Sequence, residues 1–93
     1  MLRIREVVDS GTETTLHLEG RIVSEWVGVL QEECRRVLQG SSRRLRLDLR
    51  AVTFIDPRGV LALRWFTAEG VAIVNSPAFI DALLKGDGKS WAL

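Results

Sequence analysis

Residues 45–63 read LRLDLRAVTFIDPRGVLAL. Leu45, Leu47 and Leu49 alternate with Arg46, Asp48 and Arg50, the two-residue period of a strand with one buried face. The period slips at Arg50 and Ala51, and the apolar run VTFI carries the strand on to Ile55. Asp56 then offers a carboxylate to backbone N–H groups. Pro57 suits the first helical position, where its missing N–H has no intrahelical partner. The stretch is a buried strand that turns directly into a helix.

Working outward, the same alternation appears upstream. Leu2, Ile4 and Val7 alternate with charged residues, DSGT supplies turn chemistry, and TTLHLEG alternates again, so the chain opens with a hairpin. His17 lies between Leu16 and Leu18 and points away from the side they bury. No Ser, Cys or Asp partner is indicated by spacing, so it is read as a solvated strand histidine. Ser24 is expected to cap a helix running to about Gln39, with Trp26, Val27, Leu30, Cys34, Val37 and Leu38 at three- and four-residue steps and Gly40 at its end. Downstream, GVAIVN after Gly70 reads as a short strand. SPAFIDALLKG reads as a third helix, capped by Ser76, with Pro77 in its first turn and Gly86 closing it. Strands alternating with helices after a hairpin predict an α/β fold: a small mixed sheet, antiparallel at the N-terminal hairpin and otherwise largely parallel, with helices packed against it.

The chain of 93 residues has room for one small domain, taken as 1–93. Apolar residues make up 46% and charged residues 27%, the balance of a globular protein. The apolar runs are too short for a membrane span and the N-terminus has no signal-peptide core, so a cytoplasmic protein is expected. Cys34 is the one cysteine, which rules out an internal disulfide and leaves no zinc-ligand spacing. It falls on the apolar stripe of the first helix and is read as a buried structural thiol. Net charge is +1, which argues against a dedicated nucleic-acid binder. Residues 35–64 nevertheless hold eight arginines against Asp48 and Asp56, a local +6 that leaves −5 for the remainder.

The order of elements and the residues quoted at the outset resemble the STAS domain, found in bacterial anti-sigma factor antagonists and attached to sulfate transporters. The hallmark of that family is approximately aspartate, serine, serine or threonine, glycine, leucine after a strand of the form DLS.V.F. Here DLRAVTFID keeps the strand and Asp56, while Gly59 and Val60 keep the helix beginning. LEGRI matches the family's L.GE.D after the second strand, and VNSPAFIDALL matches its strand, Ser-Pro and last helix. The resemblance covers most of residues 14–85. It implies a docking surface at the start of the second helix. In such antagonists the first serine after the aspartate is a phosphorylation switch, placed where a helix N-terminus accepts phosphate. That position is Pro57 here and the next is Arg58, so the resemblance implies the fold and the docking surface without the switch. Thr53 and Ser76 are read as structural hydroxyls.

The second helix departs from the family in being shorter, between Gly59 and Gly70, and in its pattern. Val60, Leu61, Ala62, Leu63, Trp65 and Phe66 point nearly all the way around, with Arg64 among them. One face of a small sheet cannot bury all of them. Two covers are open: Trp91 of the C-terminal tail, or another protein or second copy of the chain meeting aromatics rimmed by Arg58 and Arg64. The expected partner-binding set is Asp56, Pro57, Arg58, Gly59, Leu61, Arg64 and Trp65. The function that follows is a non-catalytic interaction module with no cofactor or metal. Its partner would be an anti-sigma factor kinase-like ATPase or the ATPase of a phospholipid-transport complex, whose STAS subunit is an alternative relative; a homodimer is a further alternative. Nucleotide or nucleic-acid binding by Arg43, Arg44 and Arg46 is the other reading, although no glycine-rich phosphate loop or recognition-helix signature accompanies them. Catalysis is argued against by one His, one Cys and no spacing that brings them together.

Overall fold

A computed structural model describes residues 1–8, 12–40 and 44–86. Its elements are β1 (Leu2–Val8), β2 (Glu13–Ile22), α1 (Ser24–Gly40), β3 (Arg44–Ile55), α2 (Pro57–Ala68), β4 (Ala72–Val74) and α3 (Ala78–Gly86). The strands form one sheet in the order β1-β2-β3-β4. β1 pairs antiparallel with β2, and β2–β3 and β3–β4 pair parallel. The predicted mixed sheet is therefore present, with each parallel neighbour reached through a helix.

The core lies between one sheet face and the helices. Leu16, Leu18, Leu45, Leu47 and Leu49 project into it from the two central strands, and Leu30, Cys34, Leu63, Phe66 and Ile80 meet them from the helices. Burial and the neighbouring Glu33 charge push the Cys34 thiol up to about 12, which makes it inert as a nucleophile. The opposite sheet face carries Arg3, Arg5, His17, Glu19, Asp48 and Arg50, because cross-strand partners share a face: Arg3 stands opposite Glu19, Arg5 opposite His17, and His17 beside Asp48.

The slip read at Arg50 and Ala51 is a β-bulge. His17 pairs with Asp48 and Glu19 with Ala51, so β3 spends an extra residue there, and a second irregularity follows between Gly20 and Arg21. Each bulge turns two consecutive β3 residues to the outer side: Arg50 with Ala51, then Thr53 with Phe54, while Val52 and Ile55 stay buried. β4 pairs only with Arg46–Asp48. Among the described residues, β3 beyond Asp48 thus has a sheet neighbour on one side only.

Helix ends follow the sequence with two corrections. α2 ends as expected at Gly70, which has a φ of 97°; its N–H donates to Thr67 and that of Val71 to Phe66, a Schellman closure in which buried Val71 and Phe66 supply the apolar contact. Ser76 does not cap α3. The Pro77 carbonyl accepts from Ile80 and Asp81 N–H, so Pro77 holds the cap position and the helix begins one residue later than predicted. Ser24 does not cap α1 by accepting either; its hydroxyl and its N–H both donate to Asp56. Trp91 and Arg43 lie outside the described residues.

Candidate functional site

The start of α2 is built around one carboxylate. Asp56 has extended backbone angles, φ −96° and ψ 174°, and its Oδ1 accepts the Gly59 N–H at 2.8 Å. Its Oδ2 accepts the Ser24 N–H at 2.9 Å and the Ser24 hydroxyl at 3.2 Å. A single side chain therefore caps α2 and ties it to the first residue of α1. Burial pushes this carboxyl up, but the bonds from Gly59, from Ser24 and from the Arg58 N–H together outweigh it and hold it below the usual range. Gly59 is buried against Ile22 and Ile55, which presses the first turn of α2 onto the ends of β2 and β3.

From this anchored start an exposed stripe runs along α2. Arg58, Leu61 and Trp65 are all exposed, Leu61 at 52% and Trp65 at 54%, and their spacing of three and four residues stacks them on one side of the helix. Pro57 is exposed beside them, and Val60, Ala62, Leu63 and Phe66 face inward. The expected set thus divides. Pro57, Arg58, Leu61 and Trp65 are brought to one surface, while Asp56 and Gly59 act from beneath it. Arg64 is elsewhere. Its Nη2 donates to the Leu83 and Leu84 carbonyls at 3.2 and 3.1 Å, closing the C-terminal end of α3 instead of rimming the aromatic surface.

Solved structures similar to this chain include the unphosphorylated form of the anti-sigma factor antagonist SpoIIAA, with a TM-score of 0.72 at 12% identity over 91% of this chain and 84% of that one. The fold is SpoIIAA-like. A DUF3478-family protein from Shewanella loihica, itself described as having a SpoIIAA-like fold, gives 0.59 at 10% identity over 84% of this chain and 69% of its own. A segment of the protein Mglu gives 0.64 at 24% identity; it accounts for 80% of this chain and 19% of Mglu. No family model matches the sequence, and no curated protein matches it.

Within this SpoIIAA-like fold three arginines of the arginine-rich middle have carboxylate partners. Arg35 pairs with Glu32, Arg36 with Glu6 and Glu33 at 2.8 Å each, and Arg46 with Glu13 at 3.3 Å. Among the described residues no helix is long and apolar enough to cross a membrane.

The sequence reading missed one polar cluster. His17 is half-buried and not simply solvated: its Nδ1 lies 3.3 Å from Asp48 Oδ2. Asp48 is 7% exposed; its Oδ1 accepts the Arg50 N–H and its Oδ2 accepts the Asn75 side-chain amide, both at 2.9 Å. Burial pushes the Asp48 carboxyl up, and the donors Arg50 and Asn75, then the charges of His17 and Arg50, bring it below the ordinary value. Asn75 has a φ of 53°, a left-handed conformation that asparagine tolerates better than most residues. Parallel register joins His17 to Asp48, and sequence spacing between residues 17 and 48 contains no trace of it.

Proposed function

We propose that this chain is a non-catalytic protein-interaction module of the anti-sigma factor antagonist kind, which docks a regulatory partner through the exposed start of α2 and is not switched by serine phosphorylation. The observation that carries this reading is the stripe Arg58, Leu61 and Trp65: arginine and tryptophan are the residues interface centres favour, and large apolar side chains half out of a helix exclude little water unless covered. The SpoIIAA-like fold supports the reading: the stripe lies on α2, and the family resemblance implies a docking surface at the start of that helix. Pro57 offers no hydroxyl at the family's acceptor position, so binding is constitutive. The partner is an ATPase, either of the anti-sigma factor kinase kind or from a transporter, in the cytoplasm.

The double substitution Arg58→Glu with Trp65→Ala reverses one charge and removes a large exposed ring, whose edge-on contact with Phe66 is lost while the buried residues themselves are unchanged. It is expected to weaken partner binding by roughly a hundredfold or more, since residues of this kind each contribute about 2 kcal/mol at interface centres, with unchanged circular dichroism. Affinity capture with the native chain and the double variant side by side checks this. Retention of a histidine-kinase-like ATPase by the native chain alone supports a partner-switching role. Retention of a transporter ATPase makes the chain an assembly subunit. Equal retention by both proteins removes α2 from consideration. Incubation with a serine kinase of the antagonist family and ATP is expected to leave residues 56–59 unlabelled; a phosphopeptide mapped there would overturn the equivalence drawn for Pro57.

A further inference from the structure

The sheet face turned away from the helices holds an open groove of about 710 Å³, lined among others by Arg5, His17, Glu19, Asp48 and Arg50. Its charges are not equally engaged. Glu19 is taken by Arg3 at 3.6 Å, and the two oxygens of Asp48 are taken by the Arg50 N–H, Asn75 and His17. Arg3, Arg35, Arg36 and Arg46 each have a carboxylate. Among the described residues the guanidinium groups of Arg5 and Arg50, which line this groove, form no ion pair within 4.0 Å.

Two features of the strands set donors at the groove. Arg50 follows Arg46 and Asp48 onto the outer face by simple alternation, and the bulge in β3 then turns Ala51, a small residue, out beside it. Asp48 fixes the His17 ring through Nδ1 and leaves Nε2 facing away from that contact, with Asn75 held in its left-handed conformation to complete the support. Arg5 stands directly across from His17 on β1. Arg5, His17 and Arg50 thus line the groove as nitrogen donors around a carboxylate that already has three donors of its own.

We infer that this groove binds the oxyanion group of a small ligand, a phosphate or carboxylate, held by Arg5 and Arg50 with His17 between them. Both guanidinium groups present paired donors suited to two oxygens of one anion. The site is separate from α2, so its occupation and the docking of a partner there are tested independently.

The test is a titration of the isotope-labelled full chain with inorganic phosphate and, separately, with acetate, at matched ionic strength in chloride, followed by NMR of the His17 ring and the arginine Nε–H groups. Saturable shifts confined to His17, Arg5 and Arg50 are expected. Arg5→Gln with Arg50→Gln should weaken the apparent affinity by roughly tenfold, and Arg58→Gln should leave it unchanged. Should the double variant not fold, Arg50→Gln alone, whose side chain is exposed, carries the same comparison. Preference for phosphate identifies a phosphate-bearing ligand, and equal or stronger response to acetate identifies a carboxylate. Linear shifts without saturation, equal shifts at Arg58, or an unchanged affinity in the folded variant would overturn the inference.

Discussion

Gly59→Ala is expected to lower the unfolding free energy by about 2 kcal/mol, and Gly59→Val by more. A Cβ at this position would lie 2.7 Å from the Ile22 carbonyl oxygen, 2.7 Å from Ile55 Cγ1 and 2.9 Å from Ile22 Cγ2. The nearest of these atoms is backbone and already committed, since the Ile22 carbonyl accepts the Asp56 N–H at 3.1 Å. It cannot retreat without loosening the junction of β3 and α2. Overpacking of this kind costs about 1–3 kcal/mol. The better helix propensity of alanine, worth about 1 kcal/mol, recovers part of it, so the estimate sits at the upper end of that range less the recovery. In a domain of this size 2 kcal/mol shifts Tm by about 10 °C. Urea denaturation with an unchanged m-value checks the prediction. A variant within about 0.5 kcal/mol of the native chain would show that α2 lifts freely from the strand ends.

Asp56→Ala should cost about 2 kcal/mol, at the top of the range for losing a capping side chain. Four donors lose their acceptor at once, the Arg58 and Gly59 N–H groups at the start of α2 and the N–H and hydroxyl of Ser24 at the start of α1. The same contacts fix the response to acid. Because the folded state holds the Asp56 carboxyl below its ordinary value, the unfolded chain takes up a proton first as pH falls. The stabilisation is fully present above about pH 4, the value of an unperturbed aspartate, and is lost as pH drops through the lower folded value. Asp48 is lowered in the same direction and adds to the loss. Chemical denaturation of the native chain and of Asp56→Asn, repeated from neutral pH down, should show a shallower acid dependence in the variant. Parallel curves would mean that the capping charge contributes nothing to folding.

Much of this architecture was legible in the sequence because period and punctuation agreed. The leucines of β3, the Asp-Pro start of α2 and the glycine that closes it each follow from local chemistry, and the structure places Asp56, Pro57 and Gly70 in those roles. The slip at Arg50 and Ala51 was visible too, although only the pairing with β2 identifies it as a bulge that turns Ala51 out beside Arg50. Contacts between residues distant in sequence were not legible. Arg64 looked like an interface rim because nothing near it in the chain accepts its hydrogens; its acceptors, the Leu83 and Leu84 carbonyls, arrive only when α3 packs against α2. His17 likewise looked solvated until register set it beside Asp48. Ser76 and Ser24 carry the usual preferences of capping residues, and in both cases a competing group, the Pro77 carbonyl or the Asp56 carboxylate, altered the role.

The unequal lengths of β3 and β4 bear on how two such molecules could meet. A central strand that outruns its neighbour leaves a margin of backbone groups on which a foreign strand could grow. Here the margin is defended near where it opens: the amide of Arg50, two residues past the last β4 pairing, is already answered by the Asp48 carboxylate, and the two bulges along this stretch break the regular spacing an incoming strand would need. This margin of β3 is thereby a poor template for a foreign strand, which leaves the outer edge of β1, at the far side of the sheet, as the longer run of backbone without a strand neighbour among the described residues.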